Sequence, residues 1–124
     1  MPKHRMDRIN ETLAHHLAKL IVEESVDPRL ATIITITKVE TTKDLRTATV
    51  SISVLDTSRV KDVLRALSHA SGFFIERLKD LMPMRYIPSL RFVYDDSLVR
   101  MNSVLTRMKA IENERKEHGD EKDQ

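Results

Sequence analysis

The sequence has no cysteine, no tryptophan and only two glycines, Gly72 and Gly119, in 124 residues. Without thiols there can be no disulfide, thiolate metal site or cysteine redox chemistry, and a chain of this length can bury a core without such staples. No run approaches the roughly 18 apolar residues of a membrane span, and the N-terminus reads as charged rather than as an apolar leader. Together these absences predict a soluble, cytoplasmic protein with no membrane partner. Aromatics are equally scarce: Phe73, Phe74, Tyr86, Phe92 and Tyr94 are the whole supply, and most fall at core positions of the pattern. Stacking on nucleobases is therefore not expected, and any nucleic-acid recognition should work through shape and phosphate.

Charge is present in both signs but unevenly distributed. From Glu112 onward, six acids face Arg115, Lys116 and Lys122, so the tail carries −3 and residues 1–111 carry +5. A basic body favours a polyanionic partner. The tail has almost nothing apolar to bury and is predicted to be disordered, giving one domain over 1–111 and an acidic tail over 112–124.

Hydrophobic spacing supplies the elements. In "RMDRINETLAHHLAKLIVEES", residues 5–25, Met6, Ile9, Leu13, Leu17, Leu20 and Ile21 recur at helical intervals. Pro28 ends that helix by disfavouring helical geometry at Asp27. "ATIITITKVETT" and "LRTATVSISVL" then read as a β pair turning at Lys43-Asp44, and the second strand alternates Ala48, Val50, Ile52 and Val54 with Thr and Ser. Asp56, Thr57 and Ser58 offer a cap before a long helical pattern carrying Val60, Leu64, Leu67, Ser71, Phe74, Leu78 and Leu81. Pro83 and Pro88 close it, a third strand follows through Leu90, Phe92 and Tyr94, and Asp95, Asp96 and Ser97 can cap a last helix with Leu98, Met101, Leu105, Met108 and Ile111.

Gly72 interrupts the long helical pattern, where glycine costs about 1 kcal/mol relative to alanine. On a helical wheel it falls with Lys61, Arg65, Ser68 and Lys79, off the apolar stripe. Two readings stay open: a kink between two helices, using a positive φ, or close approach of an external group to bare backbone. With a kink at Ala70, Ser71 and Gly72, the order becomes helix, strand, strand, helix, kink, helix, strand, plus a C-terminal helix.

That order resembles the type II KH fold, an α+β RNA-binding architecture whose joint is normally GXXG. Here "HASG", residues 69–72, has His69 where the first glycine should be, so a GXXG-type phosphate clamp is not expected. An Ala-X-Gly joint is instead similar to that of the ribosome-binding factor A family. "RINETL" (8–13), "DPRL" (27–30), "DLRTATVSISVL" (44–55) and "IPSLRFVYDDS" (87–97) look like that family in order and spacing, and the resemblance covers about residues 4–108. It implies a non-enzymatic assembly factor, without cofactor, that binds the free small ribosomal subunit and its rRNA. It further implies help in late maturation near the rRNA 5′ end and importance for growth in the cold. The expected state is a monomer.

Candidate RNA-binding cations fall into three groups: Arg5, Arg8, His15 and Lys19 beside the apolar stripe of the first helix, Lys38, Lys43 and Arg46 around the hairpin, and Lys61, Arg65 and Lys79 beside Gly72. Such contacts supply affinity and salt dependence rather than sequence readout. Catalytic constellations are lacking. His15 and His16 are adjacent and point to different helix faces, His69 has no acid at helical spacing, and Asp95 and Asp96 stand where a cap is wanted. No metal site is expected. A second function class stays open, a protein-interaction module docking a partner through the Gly72 face or the last helix.

Overall fold

A computed structural model describes the backbone of residues 5–24 and 26–122, with side chains as far as residue 116. Ser25, read above as the last residue of the first helix, and the final two residues of the tail lie outside the described residues. The elements run α1 (Arg5–Glu24), β1 (Ile34–Thr41), β2 (Thr47–Val54), α2 (Val60–Leu81), β3 (Ser89–Tyr94) and α3 (Ser97–Lys122), with short 3-10 turns at Pro28–Leu30 and Thr57–Arg59. This is the α+β arrangement expected of a KH-like domain.

The sheet order is β1-β2-β3, with β1 antiparallel and β3 parallel to β2. The alternation of β2 fixes which face is covered: Ala48, Val50, Ile52 and Val54 are buried, while Thr47, Thr49, Ser51 and Ser53 are partly exposed on the other face. Leu13 and Leu17 of α1, and Val63, Leu67, Phe74 and Leu78 of α2, close over the apolar face and are fully buried. Phe74 meets Phe92 edge-on at 6.2 Å between centroids, joining α2 to β3. Truncating such a ring in a packed core costs about 3–5 kcal/mol.

Polar side chains set how the layers meet. Asn10 Oδ1 accepts hydrogen bonds from the Thr41 backbone N–H at 3.1 Å and from Thr41 Oγ1 at 2.6 Å, tying the start of α1 to the end of β1. Asp56 caps the turn that leads into α2 by accepting from the Ser58 N–H. Met82 takes an extended conformation, as a residue before proline prefers, and α2 stops there. A register shift between Ile36 and Lys38 bulges β1 at Thr37, whose hydroxyl donates to Asp95 Oδ2 at 2.7 Å.

One expectation needs correction. The division at Gly72 is not made: α2 runs unbroken through Ala70, Ser71 and Gly72, Gly72 does not take a positive φ, and three α-helices result rather than four. The apolar stripe carries straight past the glycine, and burial of that stripe on both sides holds one helix together. What marks the position is Ser71 Oγ, which donates to the Ser68 carbonyl at 2.6 Å, the carbonyl that an α-helix assigns to the Gly72 N–H. The structure continues α3 to Lys122 with no boundary after Ile111. Glu, Arg and Lys are good helix formers, so low hydrophobicity does not itself break a helix.

Candidate nucleic-acid interface

The sequence-predicted cations separate into two clusters and several isolated positions. The first cluster is the outer face of α2, where Lys61 and Arg65 are exposed one turn apart and Gly72 follows at helical spacing. Neither cation has an ion pair among the described residues. A Cβ built on Gly72 would meet no heavy atom within 4 Å, so the helix backbone there is open to solvent. Lys79, further along the stripe, is engaged with Glu76 at 2.9 Å.

Beside this face lies the "DPRL" turn, which touches the position that departs from GXXG. Arg29 grips Asp27 through Nε and Nη2, the latter 2.6 Å from Oδ2, and the same Nη2 stands 3.4 Å from His69 Nδ1. Those hydrogen bonds, first from the Arg29 side chain and then from its backbone N–H, hold the Asp27 carboxyl down to about 2. Arg59 adds a clamp from the other side, donating to the carbonyls of Ala31 and Pro28 at 3.2 Å each. His69 is thus a contact of the turn against α2, and Arg29 is oriented by its carboxylate at the edge of the basic face.

The second cluster was not foreseen as a unit. Arg5, Arg8 and Thr12 of α1 and Arg46 of the hairpin line one groove of about 900 Å³, together with the segment joining α2 to β3. Pairing explains the juxtaposition: β3 enters the sheet with Ser89 opposite Thr47, and the Ser89 N–H donates to the Arg46 carbonyl at 2.9 Å. That segment contributes two residues absent from the predicted set, Arg85 and Tyr86. The Arg85 guanidinium lies 5.5 Å from the Tyr86 ring centroid, and Tyr86 is 72% exposed. The expectation that the aromatics serve mostly the core fails at Tyr86, and also at Phe73, which is 45% exposed. The available signal was position: "MRYI" lies between Pro83 and Pro88, outside any helical or alternating pattern, where no core assignment follows.

The remaining candidates stand apart. His15 and Lys19 are exposed on α1, Lys43 is exposed in the hairpin, and Lys38 is paired with Glu40, which raises its pKa through that hydrogen bond. Asp95 and Asp96 act as terminators of β3 and starters of α3. Asp95 accepts from Thr37 Oγ1 and from the Ser97 N–H at 2.9 Å, while Asp96 pairs with Arg100 at 3.0 Å. With its carboxyl held at about 2, chiefly by Thr37, Asp95 stays ionised and is poorly matched to proton transfer near neutral pH. Among the described residues no group of three or more His, Asp or Glu is placed to hold a metal ion, and no helix is long and apolar enough to cross a membrane.

Residues 5–108 match the family model described as ribosome-binding factor A. A protein of that name from Desulfitobacterium hafniense (strain DSM 10664 / DCB-2) is 36% identical over 126 residues, spanning all of both chains. The crystal structure of ribosome-binding factor A from Thermus thermophilus superimposes with a TM-score of 0.65 at 28% identity, covering 72% of this chain and 93% of that one. A homology model of the Thermus thermophilus factor, fitted into a cryo-EM map of its complex with the 30S subunit, shares the fold with a TM-score of 0.53 at 23% identity. That alignment covers 77% and 97% of the two chains.

Proposed function

We propose, from the premise that this chain belongs to the ribosome-binding factor A family, that it is a non-enzymatic assembly factor which binds the free small ribosomal subunit through its rRNA. In this reading it works in the cytoplasm as a monomer and assists late maturation near the rRNA 5′ end. The relative fitted into a 30S map supports the choice of subunit.

The observation that carries the reading is the outer face of α2, where Lys61 and Arg65 stand beside a glycine whose missing side chain leaves the helix backbone open. Two cations one turn apart can meet successive phosphates, and a bare helix surface lets a nucleotide backbone come closer than any side chain would. Arg5, Arg8, His15 and Lys19 on α1 and Lys43 and Arg46 near the hairpin extend the positive field, while Lys38 and Lys79 contribute less because Glu40 and Glu76 pair with them. Contacts of this class carry shape and phosphate recognition, so affinity should fall steeply with salt. Reversing Lys61 and Arg65 to Glu tests it. Binding to small subunits should weaken and the slope of log affinity on log salt should flatten by about one to two, with the circular dichroism unchanged. An unchanged slope would move the contact off α2.

A second reading, a protein-docking module, draws on α3. Its apolar residues Leu98, Met101, Leu105 and Met108 recur on one face and are each at least half exposed. Docking through that stripe would be insensitive to salt and lost on deleting residues 97–124, which separates it from the RNA reading.

A further inference from the structure

We infer that the groove between the start of α1, the β1–β2 hairpin and the α2–β3 segment is a binding site for single-stranded RNA, with one unpaired base stacked on Tyr86 and the flanking phosphates held by Arg5, Arg8, Arg46 and Arg85. The inference rests on the assembly-factor reading for the source of that RNA and adds a second contact, separate from the α2 face.

Three observations converge on it. The first is charge. Four arginines from three different elements line one groove whose acid among the described residues is Asp44, and Asp44 is already occupied by the Thr42 hydroxyl at 2.6 Å and the Arg46 N–H at 3.1 Å. Arg46 lies 3.9 Å from that carboxylate and stays 86% exposed in its side chain, so its guanidinium is not tied down. A surface holding positive charge in excess selects a polyanion, and arginine forks suit phosphate oxygens.

The second is Tyr86. A tyrosine left 72% exposed forgoes the burial that normally fixes an aromatic side chain. Arg85 lies over the ring at 5.5 Å, which arranges a guanidinium and a π face side by side. That pairing is the stacking platform of single-strand binders, in which successive bases lie on aromatic rings and arginine planes. Duplex RNA cannot use it, because its bases are stacked within the helix.

The third is size and floor. At about 900 Å³ the groove is in the range that holds small organic ligands, and Met82, Met84 and Ile87 add apolar lining to it beside the cations. Leu45, which lines the same groove, is the one non-glycine residue with positive φ among the described residues, at 60°. Pro88, fully buried at the end of the segment, anchors the loop that carries Tyr86.

The test uses the intact chain and a short single-stranded oligoribonucleotide, with the same sequence annealed to its complement as the control. The chain has two tyrosines and no tryptophan, so Tyr94→Phe leaves Tyr86 as the sole reporter. Its ring protons should shift upfield as a base stacks on it. Tyr86→Ala should weaken the single-strand complex by roughly 5- to 150-fold without altering the salt slope, and Tyr86→Phe should keep most of the affinity. Arg8→Glu with Arg85→Glu should instead flatten the slope. Melting curves should not move for Tyr86→Ala, since the ring is exposed. Equal affinity for duplex and single strand, or a Tyr86→Ala complex within twofold of the parent, overturns the site. If the oligonucleotide arm fails while Lys61→Glu with Arg65→Glu still releases small subunits, the groove assignment alone falls. If the unaltered protein does not prefer small subunits, the assembly-factor reading falls and takes the assignment to rRNA with it.

Discussion

Replacing Gly72 with alanine sets stability against function at a single methyl group. The new Cβ enters open space, with no heavy atom within 4 Å, and the backbone at Gly72 already has a negative φ. The site is an exposed helix interior, twelve residues into a helix of 22, so neither strain nor packing opposes the change. What remains is the propensity difference and the smaller unfolded-state entropy of alanine, a gain of about 0.4–1 kcal/mol. For a domain of this size that is a rise in melting temperature of roughly 2–6 °C. If the glycine is there so that a nucleotide backbone can approach α2 beside Lys61 and Arg65, the same methyl should weaken binding to small subunits even as the fold gains. The assay is a thermal melt together with a binding titration against free small subunits. A variant destabilised by more than about 1 kcal/mol would show that the helix needs a conformation alanine cannot adopt, contradicting the unbroken α2. A stabilised variant with unchanged affinity would leave the helix intact and refute close approach.

Other perturbations probe the joints of the fold. Asn10→Ala should cost about 1–3 kcal/mol, because the part-buried Thr41 N–H loses its acceptor, and urea midpoints would register it; a neutral result would mean that water replaces the bond. Asp27 and Asp95 both titrate at about 2 in the folded chain against an ordinary 3.8. Folded-state pKa values below the unfolded ones stabilise above the unfolded pKa, so this contribution is complete above about pH 4 and lost as pH falls towards about 2. Asp95→Asn should flatten the stability profile in that window, with the variant less stable than the parent at neutral pH and the difference vanishing towards about pH 2; a profile identical to the parent's would contradict the Thr37–Asp95 bond. Deleting residues 113–124 should leave the melting temperature almost unmoved, since every described side chain from Ser97 to Lys116 is exposed. A drop of many degrees would show α3 packing on the body.

Those experiments divide along the line between what was legible in the sequence and what was not. The covered face of β2 was readable from four residues, because a strand with one wet side must alternate, and Ala48, Val50, Ile52 and Val54 are all buried. The buried stripe of α1, Leu13, Leu17, Leu20 and Ile21, and capping by Asp56 and Asp95, followed from similarly local rules. At Gly72 the local rule misled: glycine weakens a helix by about 1 kcal/mol, less than burial of Phe74 and Leu78 returns just beyond it. Val63 and Ala66, buried on α2 but missing from the predicted stripe, show the same dominance of packing. The groove was out of reach for a different reason. Arg8, Arg46 and Tyr86 are distant in sequence and meet only because β3 pairs in parallel with β2, and no local pattern states which strand lies beside which.

The central claim is that this basic domain is built to bind the immature small subunit, and co-sedimentation tests it most directly. The protein should be mixed with free small subunits, free large subunits and joined ribosomes, and each pelleted through a cushion across a salt series. It should travel with free small subunits, be largely left behind by the other two, and dissociate as salt rises. Equal pelleting with large subunits would reduce the basic surface to general attraction for polyanions and contradict the account.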